Sequence, residues 1–531
     1  MRPSGRGPLE SLYFTYPAFA APAAPPSPAP VAIVGAGPVG LTAALVLARH
    51  GIASTVLDRK GTFNDGSRAI CIARASMRIL ERAGTVAPFL AKALGWTHGT
   101  SFWRGQPVYR LEMPHGPNDK YLPMYNLQQQ YIEQFLWQAA EAEPLIDLRW
   151  HSEVTALSQD DAGATLHVAT PAGAHDLRAT WVLAADGARS TMRRLMGVRL
   201  AGANHEGHYV IADIRMAHDH PTERRALFSP ASNRGGTVLI HRQPDDIWRI
   251  DYQLREGQDA DAAVAEPEIR RRVQAILHDI GHAGPWELEW WSIYTANTLA
   301  LDDYRHGRVV FIGDAAHIAP IFGVRGLNNG LADAENIAWK LAHVLHGTAA
   351  EALLDSYTPE RRGATLDVFA NAVKSTLFMT PPSRGWALMR EATLSLAVRH
   401  AYARPFANPR QMQPFTYAVS PLTRPCDAPG PRPGAAAPDL RQPDGSFLLD
   451  RAGLGFTLLL FGTPPAGLEA TLSALDPRAT LLALPPDSDA AAAYGGGACL
   501  LRPDLHIAAR FPTVDTTAVV AALRACLGGG A

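Results

Sequence analysis

The sequence predicts an α/β protein in which a domain built on a parallel sheet is interrupted by an inserted β-sheet domain and followed by a small α/β unit. An apolar strand enters a glycine-rich turn within residues 31–40. Short apolar strands ending in Asp-Gly and Gly-Asp flank a β-rich block, and seven prolines occur within residues 421–443. Apolar strands that alternate with helices are typical of a parallel sheet, whereas a dense run of prolines marks a linker.

The stretch VAIVGAGPVGLTAALVLARHGIASTVLD, residues 31–58, predicts a dinucleotide-binding unit of the Rossmann type. Gly35 permits a tight turn, Gly37 lets the backbone approach a pyrophosphate, and Gly40 lets the next helix lie close to the strand. Asp58 follows the second strand, where a carboxylate accepts hydrogen bonds from both ribose hydroxyls. FAD and NAD share this fingerprint, so it leaves the choice of dinucleotide open.

Patterns farther along the chain predict that an inserted sheet divides the nucleotide-binding domain in two. A helix is predicted at residues 38–50, and apolar strands at 181–185 and 308–312 end in Asp-Gly and Gly-Asp turns. Between these strands, HYVIADIRM, GTVLIH, IWRIDYQL and LEWWSIYT are typical of short β-strands. We expect the two domains to meet over a cleft. The predicted FAD-binding or NAD-binding domain comprises residues 30–200 and 296–400, with 85–130 contributing to the cleft, and the predicted substrate domain comprises 201–295.

The two ends of the chain lie outside this pair of domains. Residues 1–29, rich in Ala and Pro, are expected to form a flexible lead-in, with the aromatic residues from Tyr13 to Phe19 as candidates for packing on the body. Residues 401–443 are predicted to form the proline-rich linker, and 444–531 a thioredoxin-like domain. No CxxC occurs where the first strand of that domain meets its helix, so we expect no thiol-disulfide chemistry there.

Composition narrows the class of partner. The chain has 531 residues with 49 basic and 50 acidic side chains, a formal charge of −1, so no overall field favours nucleic acid or an anionic membrane. The four cysteines are widely spaced without a CxxC, so we expect neither a disulfide framework nor a thiolate metal site. This cysteine usage fits a cytoplasmic protein. No apolar run predicts a membrane span. We therefore expect a small-molecule partner and no bound metal.

Three motifs occur in order along the chain: GAGPVG with Asp58, then AADGARSTMRR, then GRVVFIGDAAHIAPIFGVRGLNNGLADAENIAWKLA. Together they resemble the single-component, class A FAD-dependent aromatic hydroxylases over about residues 30–400. The layout with a thioredoxin-like tail is similar to the branch of phenol hydroxylase and 3-(3-hydroxyphenyl)propionate hydroxylase. The resemblance implies the aromatic hydroxylase fold and assigns the opening fingerprint to FAD.

The resemblance also implies contacts to FAD. Asp314 is implied to accept hydrogen bonds from ribityl hydroxyls, Asp186 to serve both FAD and the approach of the nicotinamide, and Arg68 to reach the diphosphate. From the residues alone, Asp314 can also be a helix cap and Asp186 a turn residue. The expected FAD contacts are Gly35, Gly37, Pro38, Val39, Gly40, Asp58, Arg59, Arg68, Gln129, Asp186, Gly313, Asp314, Pro320, Gly326, Leu327 and Asn328.

Two of these assignments concern Gln129 and the loop before the long helix. Gln129 resembles a glutamine near the flavin ribityl chain, but its neighbouring glutamines leave the alignment open by one residue, and a surface helix position is the alternative. A long helix is predicted from Leu327. The resemblance implies that the backbone amides of Leu327 and Asn328 stabilise the negatively charged reduced flavin. The chain departs from the family pattern at residues 321–325, so we expect the substrate-facing side of this loop to differ.

The implied reaction is NAD(P)H-dependent: NADH or NADPH reduces FAD, O2 adds to the reduced flavin, and the resulting hydroperoxide hydroxylates a phenolic ring. A single dinucleotide fingerprint implies that NAD(P)H binds only transiently. Tyr294 and His241 are candidates for drawing off the phenolic proton, with packed strand residues as the alternative. Arg325 and Arg249 are candidates for pairing with a substrate carboxylate, although Arg249 can instead pair locally with Asp251.

Other functions stay open from sequence. The same fold can serve a heteroaromatic or polyketide-like substrate, because fold does not determine substrate. A non-catalytic FAD-binding redox sensor is a further alternative from a different class. The resemblance is compatible with a homodimer, and His317 of the GDAAH motif is interpreted as a structural residue.

Overall fold

The computed structural model describes residues 1–66, 68–255, 257–320, 324–407 and 414–529, with the side chains at 205–207, 296 and 407 outside the description. The helices of the described residues, α1 to α13 in chain order, are Pro38–Arg49, Arg74–Arg82, Val86–Lys92, Gln129–Glu141, Thr191–Met196, Ala260–Ala263, Glu266–Asp279, Gly326–Leu345, Tyr357–Met379, Arg384–Arg399, Leu468–Leu475, Asp489–Tyr494 and Thr516–Cys526.

The strands of the described residues are numbered β1 to β24 in chain order. They are Val31–Val34, Ser54–Leu57, Cys71–Ala73, Leu94–Trp96, His98–Trp103, Gln106–Glu112, Met124–Asn126, Ile146–Arg149, Glu153–Asp160, Gly163–Thr170, Gly173–Ala179, Trp181–Ala184, Ala201–Arg215, Arg224–Phe228, Thr237–Arg242, Ile247–Gln253, Glu287–Ala300, Arg305–His306, Val309–Phe311, His317–Ile318, Thr457–Phe461, Thr480–Leu484, Ala498–Leu501 and Ile507–Phe511.

A six-stranded sheet in the order β18-β19-β12-β1-β2-β8 carries the nucleotide fingerprint. β1 pairs in parallel with β12 and β2, and β12 pairs in parallel with β19. The four residues of β1 and of β12 are all buried because helices cover both faces of a parallel sheet. The carboxyl ends of these strands therefore meet at one edge, where ligands of open α/β sheets bind.

An eight-stranded sheet in the order β20-β17-β13-β16-β15-β14-β5-β6 stands across from that edge. Side chains alternate between its two faces, as the predicted strand IWRIDYQL requires. Trp248, Ile250 and Tyr252 of β16 pack in the core that α7 covers, so Arg249 and Asp251 point to the opposite face. β5 and β6, which fall within residues 85–130, extend this sheet. The mixed α/β architecture predicted from the sequence is confirmed.

The C-terminal residues form a four-stranded sheet in the order β22-β21-β23-β24. β21 is parallel to β22 and antiparallel to β23, and β23 is antiparallel to β24. The strands and the final helix lie where the sequence predicted them, while the comparison with thioredoxin stays a prediction. The proline-rich segment before this unit packs on the body, with Tyr417 3% and Leu422 3% exposed.

The first part of the N-terminal segment, which the sequence predicts to be flexible, contacts the inserted sheet in the structure. The N-terminal amine donates a hydrogen bond to the carbonyl oxygen of Trp291 at 2.7 Å. Arg2 forms ion pairs with Glu289 at 2.5 Å and Asp65 at 2.6 Å, and Phe14 is only 7% exposed. Buried carboxylates and aromatic contacts hold this segment against the sheet, a long-range effect that local composition does not reveal.

Two absences hold for the part of the chain that the structure describes. None of its helices combines the length and apolar character that a bilayer crossing needs. Its His, Cys, Asp and Glu side chains form no group of three or more arranged to hold a metal ion.

Candidate active site

A cavity of about 580 Å³ lies between the carboxyl edge of the parallel sheet and the face of the eight-stranded sheet. Its lining has a nucleotide end, built from the fingerprint and later turns, and a sheet end, built from β13 to β17. The expected FAD contacts that line it are Gly35, Gly37, Pro38, Val39, Asp58, Arg59, Arg68, Gln129, Asp186, Asp314, Pro320, Gly326 and Leu327.

Each glycine of the fingerprint is required for a different structural reason. Gly35 has a φ of +112°, and a Cβ there would lie 2.5 Å from the carbonyl oxygen of Ala185. A Cβ on Gly40 would lie 2.0 Å from the carbonyl oxygen of Gly35, so this residue serves helix packing and does not line the cavity. A Cβ on Gly37 would meet nothing within 4 Å, which leaves the backbone there open toward the cavity.

Three carboxylates stand at strand ends around the nucleotide end. Asp58 accepts hydrogen bonds from the amides of Ala36 and Lys60, each at 2.9 Å, which holds its carboxylate at the end of β2. Asp186 accepts from the amide of Met192 at 2.9 Å through Oδ2, while its Oδ1 is buried without a partner among the described residues. The unused oxygen can accept a hydrogen bond from a ligand hydroxyl.

Asp314 faces the cavity from the turn after β19. Desolvation by the surrounding protein raises the pKa of this carboxyl, and the same cause raises the pKa of Asp186. The helix-cap interpretation of Asp314 has no hydrogen bond to support it among the described residues. Gly313 lies behind it, where a Cβ would stand 3.1 Å from Val39, so Gly313 packs against the first helix and does not line the cavity.

Gln129 positions the loop that carries Arg68. Its Oε1 accepts hydrogen bonds from the amides of Arg68 and Ala69, each at 3.1 Å, and its Nε2 donates to Glu133 at 2.6 Å. Gln129 is 9% exposed, so the surface alternative does not hold. The carbonyl oxygen of Arg68 in turn accepts from Arg249 at 3.0 Å, which links the loop to the sheet end.

At the start of α8, Gly326 and Leu327 line the cavity, whereas Asn328 does not. The side chain of Asn328 is used within the protein: it donates to Cys71 and Val324 and accepts from Ala73 and Ser76. The contact of its backbone amide with flavin stays a prediction. Arg325 lines the cavity, is 3% exposed, and donates to the carbonyl of Val368 at 3.3 Å. Of the departure at residues 321–325, residues 321–323 lie outside the described ranges.

Strand register places a polar row across the sheet end. Arg224 pairs with His241, His241 with Arg249, Arg249 with Asp213, and Asp213 with Trp290. Residues that are directly paired across neighbouring strands share one face, so this row points at the cavity. All of its members except Asp213 line the cavity.

The next row contains Ala226, Leu239, Asp251, Ile211 and Ser292. It contributes four side chains to the lining, all but Ala226. Tyr294 lies one row further along β17 and also lines the cavity. The sheet end is therefore apolar in part, with a few polar groups that converge on one space, which is the usual construction of a small-molecule site.

The two residues predicted to draw off a phenolic proton lie at the sheet end, but neither can take a proton near neutral pH. Burial, together with the charges of Arg224 and Arg249 on either side, lowers the pKa of His241 to about 3. Burial also raises the pKa of Tyr294 well above its ordinary value. His241 therefore keeps a neutral ring, and Tyr294 keeps its proton.

Arg249 already has a carboxylate partner within the protein. It forms a two-point ion pair with Asp213, Nε to Oδ1 and Nη2 to Oδ2 at 2.8 Å each, and both residues are 1% exposed. The local partner is Asp213 on the neighbouring strand, because its two carboxylate oxygens meet two nitrogens of the guanidinium group. His317 is structural as expected, since its Nε2 pairs with the buried Asp333 at 2.7 Å.

The structure adds two cavity residues that the sequence predictions missed. Arg224 has no hydrogen-bond or carboxylate partner among the described side chains, and burial lowers its pKa to about 10. Asp251 is 4% exposed, its Oδ1 has no partner among the described residues, and burial raises its pKa to about 7. The polar face of IWRIDYQL was a signal for Asp251, whereas nothing local distinguished Arg224.

The residues at the nucleotide end fit FAD. An open glycine backbone at the N-terminus of α1 suits a pyrophosphate, and Asp58 stands where a ribose would lie. Asp314 and the unpartnered oxygen of Asp186 supply acceptors for the hydroxyls of a ribityl chain. The N-terminus of α8, which carries a partial positive charge, opens toward the same space.

Comparisons with known proteins agree with this fit. Residues 28–372 match the FAD binding domain model. The chain is 31% identical over 374 residues to a 3-(3-hydroxy-phenyl)propionate/3-hydroxycinnamic acid hydroxylase of Klebsiella pneumoniae, a match that covers 68% of this chain and 64% of that protein. The chain thus matches less than two thirds of the length of this relative.

Two solved structures match nearly the whole chain. The flavin-dependent monooxygenase PieE, solved with FAD and substrate, has a TM-score of 0.81 and 24% identity, covering 96% of this chain and 100% of that one. The anhydrotetracycline hydroxylase OxyS of Streptomyces rimosus has a TM-score of 0.73 and 27% identity, covering 95% and 100%. By the match over residues 28–372, and in agreement with the geometry of the cavity, the chain belongs to the FAD binding domain family.

Proposed function

We propose that this protein is an FAD-dependent monooxygenase that uses NADH or NADPH and O2 to hydroxylate a phenolic or similarly activated aromatic compound. The observation that carries the proposal is one cavity that joins a nucleotide end suited to FAD with a sheet end of converging polar groups. The hydroxylase relative and the monooxygenase-like fold support the same reaction class.

FAD would be held by Gly37 and the N-terminus of α1 at its pyrophosphate, by Asp58 at its ribose, and by Asp186 and Asp314 along its ribityl chain. The bound FAD would supply the redox chemistry between NAD(P)H and O2. The N-terminal amides of α8 at Leu327 favour negative charge on a ring placed against them, because a helix N-terminus carries about half a positive charge.

The sheet end would hold the aromatic ring. Ile211 and Leu239 offer apolar surface and help to exclude water, which protects a reactive oxygen species from wasteful decay. Tyr294 donates its hydroxyl hydrogen to a phenolate oxygen, and the neutral ring of His241 forms a hydrogen bond without changing charge. Arg325 lies beside the start of α8, where it can contact the substrate or a ring bound there.

The proposal also covers the binding of NAD(P)H, the compartment and the oligomeric state. NAD(P)H binds only transiently, because the sequence has one dinucleotide fingerprint. The four cysteines are free thiols, which supports a reducing compartment such as the cytoplasm. A homodimer stays a prediction that a mass measurement in solution would test.

Anaerobic reduction of the bound flavin by NADH and by NADPH, with and without a set of phenols, tests the proposal. A hydroxylase is expected to be reduced faster in the presence of its aromatic ligand. With air admitted, oxygen uptake should exceed peroxide release. If no ligand changes the reduction rate and all oxygen appears as peroxide, the hydroxylase proposal fails and the redox-sensor alternative gains support.

A polyketide-like substrate is the second candidate, favoured by one observation. The structure of the anhydrotetracycline hydroxylase covers 95% of this chain at 27% identity. A fused polycyclic phenol included in the same reduction experiment separates the two substrate classes. Faster reduction by the polycyclic compound alone would favour the second candidate.

A further inference from the structure

We propose that Asp251 accepts the proton of the substrate's phenolic hydroxyl. The inference rests on the proposed function, since it assigns a role within a hydroxylase that acts on a phenol. It also identifies the missing proton acceptor, a role that neither of the two candidates predicted from the sequence can fill.

The position of Asp251 indicates that its carboxyl group binds a ligand. Its side chain lies in the row of Leu239, Ile211 and Ser292 and faces the cavity from the middle of the sheet. It is 4% exposed, and neither carboxylate oxygen has a hydrogen-bond partner among the described residues, Oδ1 being fully enclosed. Buried carboxyl groups are normally hydrogen-bonded because desolvation without a partner is costly.

The surrounding charges suit a carboxyl that gains and loses a proton. Arg249 favours the charged form of Asp251 and Asp213 opposes it, while burial is the largest influence and raises the pKa to about 7. Arg249 forms its two-point ion pair with Asp213, so its charge acts on Asp251 through space. The titratable and charged groups facing this region are Arg249 on the same strand, Asp213 and Tyr209 on β13, His241 on β15, Arg224 on β14, Tyr294 on β17 and Cys71 on β3.

The neighbouring groups do not compete for the proton. His241 stays neutral because its pKa is about 3, and the pKa of Cys71 is raised by burial to about 12. The pKa values of Tyr209 and Tyr294 lie above the ordinary value for tyrosine. At the sheet end, among the groups that the structure describes, Asp251 is therefore matched to proton transfer near neutral pH.

The step balances without a further reagent. The phenolic O–H bond breaks, an O–H bond forms on Asp251, and the electron pair stays on the phenolate oxygen. The carboxylate loses its charge while the ligand gains one, so the charge inside the cavity is unchanged. A phenolate donates electron density to its ring carbons more strongly than a phenol, which favours attack by an electrophilic oxygen. The proton returns to the product oxygen or to water as the product leaves.

Counting protons on the wild-type holoenzyme is the first test. We would add 3-hydroxyphenylpropionate as a probe in weak buffer with a pH indicator, about one unit above the pKa of about 7 given for Asp251. Phenolate absorbance should appear without proton release, because the proton moves onto Asp251. Release of one proton per phenolate, or binding of the phenol in its neutral form, would overturn the inference.

The second test uses Asp251→Asn, with the exposed Asp487→Asn as a control for the same change of side chain. D251N should bind the probe as neutral phenol, and its turnover with ordinary phenols should fall about 10²-fold or more. Turnover of 4-nitrophenol, which ionises near neutral pH without a base, should fall far less. An equal loss for both phenols, at retained FAD content, would contradict the role of proton acceptor.

The pH dependence separates failure of this inference from failure of the proposed function. In the wild type, turnover of ordinary phenols should rise as Asp251 ionises through pH about 7, and D251N should lack this rise. If phenols accelerate flavin reduction but D251N behaves as the wild type, only the role of Asp251 is wrong. If no phenol accelerates reduction in the wild type, the proposed function is wrong. The proton count needs no variant, so it decides the question even if D251N does not fold.

Discussion

Arg502 of the C-terminal unit forms a two-point ion pair with Glu360 of α9, Nη1 to Oε1 at 2.6 Å and Nη2 to Oε2 at 2.9 Å. Lys340 of α8 donates to the same carboxylate at 2.7 Å, and Arg502 also contacts Asp504. The side chains of Arg502, Glu360 and Lys340 have no exposed area. The C-terminal unit is thus fixed to the helix whose N-terminus opens into the cavity.

Breaking this ion pair should destabilise the whole chain. Replacing Glu360 by Gln or Arg502 by Met removes one member of a buried ion-pair network, which costs about 3–5 kcal/mol in unfolding free energy. Urea unfolding of each variant and of the double variant measures the effect. The double variant should lose less than the sum of the single losses, because the contact between Arg502 and Glu360 is lost only once. Additive losses would contradict this coupling.

Gly35→Ala should cost stability and FAD content together. The backbone there has a φ of +112°, and the new Cβ would lie 2.5 Å from the carbonyl oxygen of Ala185. Backbone strain of this kind costs about 1–3 kcal/mol, and relief requires moving the turn that faces the pyrophosphate. Thermal unfolding and the ratio of flavin to protein absorbance report both effects. Gly116→Ala, where a Cβ meets nothing within 4 Å, is the control. A fully flavinated G35A protein would contradict the assigned role of the turn.

His241 should contribute to destabilisation by acid. Its pKa is about 3 in the folded chain, against 6.5 for an unperturbed histidine, so the unfolded chain binds the proton first. Stability is therefore lost as pH falls from 6.5 toward 3, with a slope of up to about 1.4 kcal/mol per pH unit. Urea unfolding across this range should show a shallower dependence in H241N. The exposed His278→Asn should leave the slope unchanged, and an equal slope in H241N would refute the prediction.

Arg224 should favour aromatic ligands with an acidic substituent. It lines the cavity without a carboxylate partner among the described residues, and a ligand anion would supply one. Replacing Arg224 by Met should weaken binding of 3-hydroxybenzoate about tenfold or more, equivalent to about 1.4 kcal/mol. Binding of 3-methylphenol, measured in the same flavin absorbance titration, should change little. Equal weakening for both ligands would indicate a structural role instead.

Glu289→Gln should release the N-terminal segment. Glu289 is 1% exposed and accepts hydrogen bonds from Arg2 at 2.5 Å, Ser11 at 2.7 Å and the amide of Leu12 at 2.8 Å. Weakening these contacts should cost about 1–3 kcal/mol. Limited trypsin digestion should then cleave after Arg6 faster than in the wild type. Glu287→Gln, a change on an exposed side chain that lies 3.6 Å from Arg6, should have a smaller effect. Unchanged protection in E289Q would show that other contacts hold the segment.

The nucleotide end was largely predictable because its signals are local. A strand, a glycine turn and a helix contact one another within residues 31–58, and steric demand at Gly35 and Gly40 follows directly from that short path. Three of the expected FAD contacts, Gly40, Gly313 and Asn328, do not line the cavity. Gly40 packs within the turn itself, whereas the side chain of Asn328 is bound to β3 and Gly313 packs under Val39. Such contacts come from segments far apart in the chain.

The sheet end depended on long-range register. Alternation in IWRIDYQL already placed Arg249 and Asp251 on one face, but their cross-strand neighbours come from β13 and β15. Register alone pairs Arg249 with Asp213 and leaves Arg224 and Asp251 open to the cavity. The ionisation of His241, Tyr294 and Asp251 then follows from burial among those neighbours, because desolvation and nearby charge shift a pKa.

The order of motifs, read from the amino-acid sequence, was enough to establish the α/β class, the family resemblance and the turn at the pyrophosphate, since each depends on residues close together in the chain. Folding decided which polar side chains converge in the cavity. It also decided which of them are already paired and which can exchange a proton. Those properties arise when strands from separate segments bury charged groups side by side, and neither burial nor cross-strand pairing is encoded in any single stretch of residues.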